Sequence, residues 1–249
     1  MQPHTSYLVC GTPRSGSSLL CEALKNTSIA GVPEEYYWHG GKPFDSESGG
    51  PLSYADYLAS TITQGTTPNG VFGAKVMWGY FDDFISNLRT IPEYKEIASI
   101  LDLLSTTFPN LHYIWITRRD KVRQAISHWK AIQTQVWAWS TQEQPLPAKE
   151  PTFDFEAIDH LVQENIEHEA AWRRYFETSD VQPFTVVYED LVSSYEATAL
   201  RVLRYLDIEY PQNLVFAERR LRKQGDALSE EWVRRYLQLK HAQKEQKFR

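Results

Sequence analysis

LVCGTPRSGSSLL, residues Leu8 to Leu20, is the stretch whose reading decides the fold. Its apolar start reads as a β-strand (Tyr7–Cys10) and its end as a helix (Ser17–Asn26). Between them Gly11, Gly16 and Ser18 fall on the phosphate-loop pattern G-x-x-x-x-G-K-[ST]. One position departs from it: Ser17 stands where the lysine that reaches the terminal phosphates belongs. A strand, a glycine-bearing turn and a helix in this order predict an α/β fold with its site at the strand's carboxyl end.

The rest of the chain supports that expectation. Continuous apolar runs at Gly70–Trp78, Leu111–Thr117 and Pro183–Tyr188 suit parallel strands covered on both faces. Helical segments are expected at Ser53–Thr63, Tyr94–Thr107, Asp120–Val136, Asp154–Thr178, Ser193–Leu206 and Glu230–Lys247. Alternation of the two predicts a doubly wound parallel sheet flanked by helices, P-loop-like in its first unit. The 249 residues are expected to form a single domain, 1–249, with a helical C-terminal extension. Loops rich in Gly, Pro and polar residues are expected at His39–Pro51 and Trp139–Pro151, and an aromatic cluster marks Asn26–Trp38.

Composition narrows the function classes. A net charge of −6 argues against general nucleic-acid binding, which rests on clustered Lys and Arg, so any anion site must be local. The seven His show no spacing with Cys or carboxylates that would hold zinc, and no metal is expected. No window approaches the roughly 18 apolar residues of a membrane span, and the start lacks a signal-like run. A cytoplasmic protein with no membrane span is expected, and its two cysteines, Cys10 and Cys21, are expected to be buried reduced thiols.

Three constellations carry chemistry. In the loop, the helix N-terminus and the donors Arg14, Ser15, Gly16, Ser17 and Ser18 suit an anion. Without lysine a nucleoside triphosphate fits poorly, whereas Arg14 suits a compact phosphosulfate; a helix-capping turn is the bland alternative. After the third strand, Arg118 and Arg119 with Ser127 in the next helix can clamp a second phosphate, or else Arg118 and Arg119 merely pair with surface acids such as Asp120. Late in the chain LRKQGD, with Arg222 and Lys223, reads as a basic lid or as an ordinary helix-end turn.

Together and in this order, these elements resemble the sulfotransferases that use 3′-phosphoadenosine 5′-phosphosulfate (PAPS). Within them the chain is most similar to the Stf-zero type, the bacterial trehalose 2-sulfotransferases. The blocks RSGSSLL, AGVPEEYY, TPNGVFGAKVMW, QAISHWKAIQTQVW and SEEWVRRY, with VVYEDL, carry the resemblance. It implies PAPS as sulfuryl donor, a sugar acceptor such as trehalose or a glycolipid, and a homodimer.

The resemblance also implies roles. Glu35 occupies the position of the family's glutamate general base, and Glu34 is the adjacent alternative, expected to point elsewhere. Arg14 and Lys75 would stabilise charge on the transferring group; Met77 stands where the catalytic histidine of cytosolic sulfotransferases would fall. Tyr36, Tyr37, Trp78 and Trp137 are candidate sugar-packing residues, against the reading that they are core. Two other readings remain open here: a non-catalytic nucleotide- or sugar-binding protein of the same fold, and a P-loop kinase.

Overall fold

β1 (Thr5–Gly11) lies inside a parallel sheet, and every residue in it is buried, so both of its faces are covered. It pairs with β2 (Val71–Met77) on one side and with β3 (Leu111–Thr117) on the other, and β4 (Phe184–Val187) lies on the outer edge of β3. The order β2-β1-β3-β4 makes β1 the point where successive connections leave in opposite directions. The register aligns Gly11 with Met77, and Thr117 with Val187. The loops bearing Arg14, Trp78, Arg118 and Tyr188 therefore all start from the same end of the sheet. These observations come from a computed structural model that describes residues 2–40, 53–138, 148–221 and 225–247.

The helices are α1 (Ser17–Lys25), α2 (Tyr54–Gly65), α3 (Phe81–Leu88), α4 (Ile100–Thr107), α5 (Lys121–Thr134), α6 (Phe155–Thr178), α7 (Tyr188–Ser193), α8 (Tyr195–Tyr205) and α9 (Ala227–Lys247). Ser53, Ser99, Asp120 and Asp154 cap four of them, each side chain accepting the backbone N–H three residues on. On one face of the sheet Phe72, Phe81, Phe84, Phe108 and Trp172 form an aromatic core. On the other, Leu20 and Leu24 of α1 meet Ile114, Ile116, Val202 and Leu203. A third cluster joins α5 and α6 to α9 through Ile126, Ile158, Val162, Trp232 and Tyr236.

The doubly wound sheet is as expected, with differences in detail. The segment Phe81–Leu88, not among the expected helices, is helical: Phe81, Phe84, Ile85 and Leu88 share one buried face. The helix expected from Tyr94 begins at Ile100, because Pro92–Tyr94 closes a 3-10 turn and Ser99 supplies the cap. Tyr188 opens α7 and does not continue β4. Cys10 and Cys21 are free and buried, and burial pushes Cys10 well above the usual thiol range and Cys21 up to about 12. No helix among the described residues is long and apolar enough to cross a membrane.

Candidate active site

The loop after β1 is held from three sides. Ser15 N–H donates to the Thr12 carbonyl (3.1 Å), Gln124 donates to Thr12 Oγ1 and to the Pro13 carbonyl (both 2.8 Å), and the Trp172 indole donates to the Gly11 carbonyl (2.8 Å). Arg14 takes a left-handed conformation (φ 61°), and so does Gly16 (φ 96°), which immediately precedes α1. Only glycine fits at Gly16: a Cβ there would lie 2.4 Å from Tyr188 Cδ2. The first residues of α1, with the amides that no helix carbonyl pairs, border an open space.

That space is a cavity of about 330 Å³ lined by Arg14, Gly16, Ser17 and Ser18 from the loop and the start of α1, by Arg118 and Tyr188 just after β3 and β4, and by Ser127 on α5. Arg14 Nε donates to Ser127 Oγ (3.0 Å), and its terminal nitrogen donates to the Trp137 carbonyl. Arg118 donates to the Arg14 carbonyl (3.1 Å) and lies over the Tyr188 ring at 4.5 Å. Its Nε is buried with no hydrogen-bond partner among the described residues. Burial, and then the charge of Arg118, lowers Arg14 to about 10, and burial also holds Arg118 below its ordinary value. Two partly buried arginines that repel each other along one wall suit an anion in the cavity.

The expected site residues separate by position. Arg119 turns outward, one terminal nitrogen donating to both Asp190 carboxylate oxygens (3.0 and 2.8 Å), so Arg118 is the arginine that faces the cavity. Ser15 is fully buried beneath the loop and its hydroxyl is unpartnered among the described residues, so it does not line the cavity. Arg222 and Lys223 lie outside the described residues, as do most of the two expected loops His39–Pro51 and Trp139–Pro151.

Glu35 is placed by the sheet. The Glu34 carbonyl accepts the Lys75 N–H (2.8 Å), so this segment docks on the free edge of β2. The neighbouring side chains then diverge, as the sequence implied. Glu34 pairs with Lys25 at the surface, whereas Glu35 Oε2 lies 2.8 Å from Lys75 Nζ. Lys75 also reaches Ser18 Oγ at 3.3 Å, and this contact joins the carboxylate to the cavity wall, since neither Glu35 nor Lys75 lines the cavity itself. The buried Tyr80 hydroxyl donates to the Lys75 carbonyl (3.2 Å), and burial followed by the Glu35 charge raises its pKa well above the usual range.

Of the candidate aromatics, Tyr37 is a correction: it is 1% exposed and stacks on Phe84 at 4.3 Å, inside the core. Trp78 leans on Trp172 and Phe81, and Tyr36 bonds the Val32 carbonyl (2.7 Å). Trp137 is 47% exposed at the cavity rim, and Trp38, which the sequence reading passed over, is 50% exposed against Tyr80. Sequence reasoning also missed Arg123 and Lys130 in the wall, although they flank Ser127 at one-turn spacing on α5. They are neutralised by the start of α9: Arg123 by Glu230 (2.6 Å) and Lys130 by Asp226 (2.8 Å).

Comparison with known proteins gives this geometry its context. The Stf0 sulphotransferase family model matches residues 6–238. A protein of Mycolicibacterium smegmatis named trehalose 2-sulfotransferase is 30% identical over 266 aligned residues, covering 93% of this chain and 94% of that one. A second so named, from Mycobacterium tuberculosis, is 28% identical over 260 residues, covering 92% and 93%. With the loop, the paired arginines and the Lys75–Glu35 pair in the order the sequence implied, this chain belongs to the Stf0 sulphotransferase family.

Proposed function

We propose that the protein transfers a sulfuryl group from 3′-phosphoadenosine 5′-phosphosulfate to a hydroxyl of trehalose or a related glucoside, with Glu35 as general base. The carrying observation is the cavity at the α1 N-terminus, whose wall brings Arg14, Arg118 and Ser127 together and reaches the Lys75–Glu35 pair through Ser18. The names of the two relatives support the choice of acceptor.

In this reading the α1 amides, Arg14 and Ser18 bind the phosphosulfate end, and Arg118 with Ser127 binds the 3′-phosphate. The acceptor oxygen forms a bond to sulfur as the bond from sulfur to the phosphate oxygen breaks. Its proton passes to the Glu35 carboxylate, and adenosine 3′,5′-bisphosphate leaves. Lys75 and Arg14 offset charge developing on the sulfuryl and leaving oxygens, which is the term an enclosed site strengthens most. The family resemblance carries the further expectation of a cytoplasmic homodimer.

The test is incubation with isotopically labelled donor and a panel of free sugars that includes trehalose, with products identified by mass. A monosulfated disaccharide is the expected product. Tight binding of adenosine 3′,5′-bisphosphate with transfer to no sugar would overturn the acceptor and leave a nucleotide-binding protein.

A further inference from the structure

Glu22 is a carboxylate in an unusual place. It lies on the second turn of α1, 8% exposed, and no lysine or arginine side chain pairs with it among the described residues. Its Oε1 accepts two consecutive backbone amides, from Arg220 (2.7 Å) and Leu221 (2.9 Å), and its Oε2 accepts the Tyr195 hydroxyl (3.2 Å). Burying a carboxylate is costly unless its lone pairs are used, and here the compensation comes chiefly from one short stretch of chain.

That stretch is a strap laid along α1. Four residues further down the helix, Asn26 accepts the Ala217 amide through its carbonyl (2.9 Å), and its side chain donates to the Glu218 carbonyl (3.4 Å). Asn26 and Glu22 thus fix the strap at successive turns of one helix face, so that from Ala217 to Leu221 it advances toward the α1 N-terminus and the cavity. Arg219 and Leu221 both line the cavity. The Arg219 guanidinium lies over the Tyr195 ring at 5.1 Å, and its Nε donates to the Leu221 carbonyl (3.2 Å). An apolar side chain at position 22 would pack against the strap equally well but would fix neither its register nor this presentation.

We infer that Glu22 is a positioning residue for donor binding: by holding the Arg220 and Leu221 amides it presents Arg219, a further cation, to the anionic ligand in the cavity. This rests on the proposed function, which makes that ligand a nucleotide bisphosphate.

The test is calorimetric titration of the full-length protein with adenosine 3′,5′-bisphosphate, comparing wild type with Arg219→Ala, Glu22→Ala, Glu22→Gln and the double variants. Arg219→Ala is expected to weaken binding by about tenfold, the scale of one charge-assisted hydrogen bond. Glu22→Ala should weaken it at least as much. Glu22→Gln should fall between, because its amide oxygen still accepts the two N–H groups. Combining Glu22→Ala with Arg219→Ala should be no weaker than the Glu22 variant alone, since one residue acts through the other. A Glu22 variant that binds like wild type, or a double variant whose loss is the product of the single losses, overturns the inference. If Glu22→Ala does not fold, the cycle built on Glu22→Gln decides by the same rule. A merely structural lesion would lower thermal stability and leave these affinities unchanged, which also overturns it. Failure of wild type to bind the bisphosphate at all would instead remove the proposed function, and this inference with it.

Discussion

Lys75 Nζ lies 2.8 Å from Glu35 Oε2 and 3.3 Å from Ser18 Oγ, so a single ammonium joins the carboxylate on the β2 edge to the loop after β1. The lysine side chain is 10% exposed and the glutamate 31%, so the pair is partly screened by solvent on the carboxylate side only. In the proposed mechanism an acceptor would approach Glu35 from the solvent side, while the Lys75 ammonium stays buried behind the cavity wall. Under the proposed function, this asymmetry would separate binding of the donor from removal of the acceptor proton.

Glu35→Gln should accordingly lower turnover by about 10²–10⁴-fold, the usual contribution of a positioned base. Affinity for adenosine 3′,5′-bisphosphate should change little, because Glu35 does not line the cavity. Steady-state kinetics with parallel titration of the bisphosphate check both halves. Turnover near that of wild type would remove Glu35 from the mechanism.

Lys75→Met keeps the length of the side chain but leaves Glu35 without its cation and Ser18 without its donor. Loss of turnover on the order of 10²-fold is expected, as for removal of one fixed electrostatic donor. Lys75→Met combined with Glu35→Gln should lose less than the product of the two, since the two groups share one contact. Multiplicative losses would show that the groups act separately.

Much of this site was legible in the sequence because it depends on local spacing. Gly11, Gly16 and Ser18 announce the loop, and the strand before it places that loop at the sheet's carboxyl end. Glu34 and Glu35 diverge because adjacent residues of an extended segment docked on a strand point to opposite sides. Other parts rest on contacts between distant segments, which spacing does not encode. Arg118 and Arg119 read identically until β4 and α7 bring Asp190 to one and the Tyr188 ring to the other. Tyr37 reads equally as a sugar-packing or a core aromatic beside Glu35 until Phe84 is placed against it. The bracing of the loop by Gln124 and Trp172 is of the same kind: each is an ordinary helix residue in sequence and reaches the loop only in three dimensions.

Gly16→Ala is expected to damage the donor site by a route that passes through Tyr188. The new methyl would stand 2.4 Å from Tyr188 Cδ2 in a backbone conformation that L-residues rarely adopt. Strain of this kind costs about 1–3 kcal/mol, and relief requires the tyrosine ring to move. That ring lies beneath Arg118, so the guanidinium loses its platform as well. Thermal unfolding should show lowered stability, and titration should show weaker binding of the bisphosphate. A stable variant with unchanged affinity would mean that Tyr188 has room that the packing does not show.

His128 gives the protein a predictable acid sensitivity. Burial first, and then the charges of Arg14 and His168, lower it to about 4 from an ordinary value of 6.5. The folded chain therefore keeps this ring neutral while the unfolded chain takes up a proton below pH 6.5. The stabilisation is complete above that pH and is lost progressively as pH falls toward 4, by about 3 kcal/mol over the window. His39 and His112, also lowered by burial, act in the same direction. Asp120 and Asp226 lie below the ordinary carboxylate value and add their losses only at lower pH, outside this window. Urea unfolding between pH 7.5 and 4.5 isolates the His128 share when wild type is compared with His128→Gln. The wild-type stability should fall more steeply, by a slope corresponding to about one proton, whatever offset the substitution itself introduces. Parallel curves would show that the folded protein accommodates the charged ring. Bound bisphosphate should flatten the wild-type curve, because an anion beside Arg14 cancels part of the positive field that holds His128 neutral.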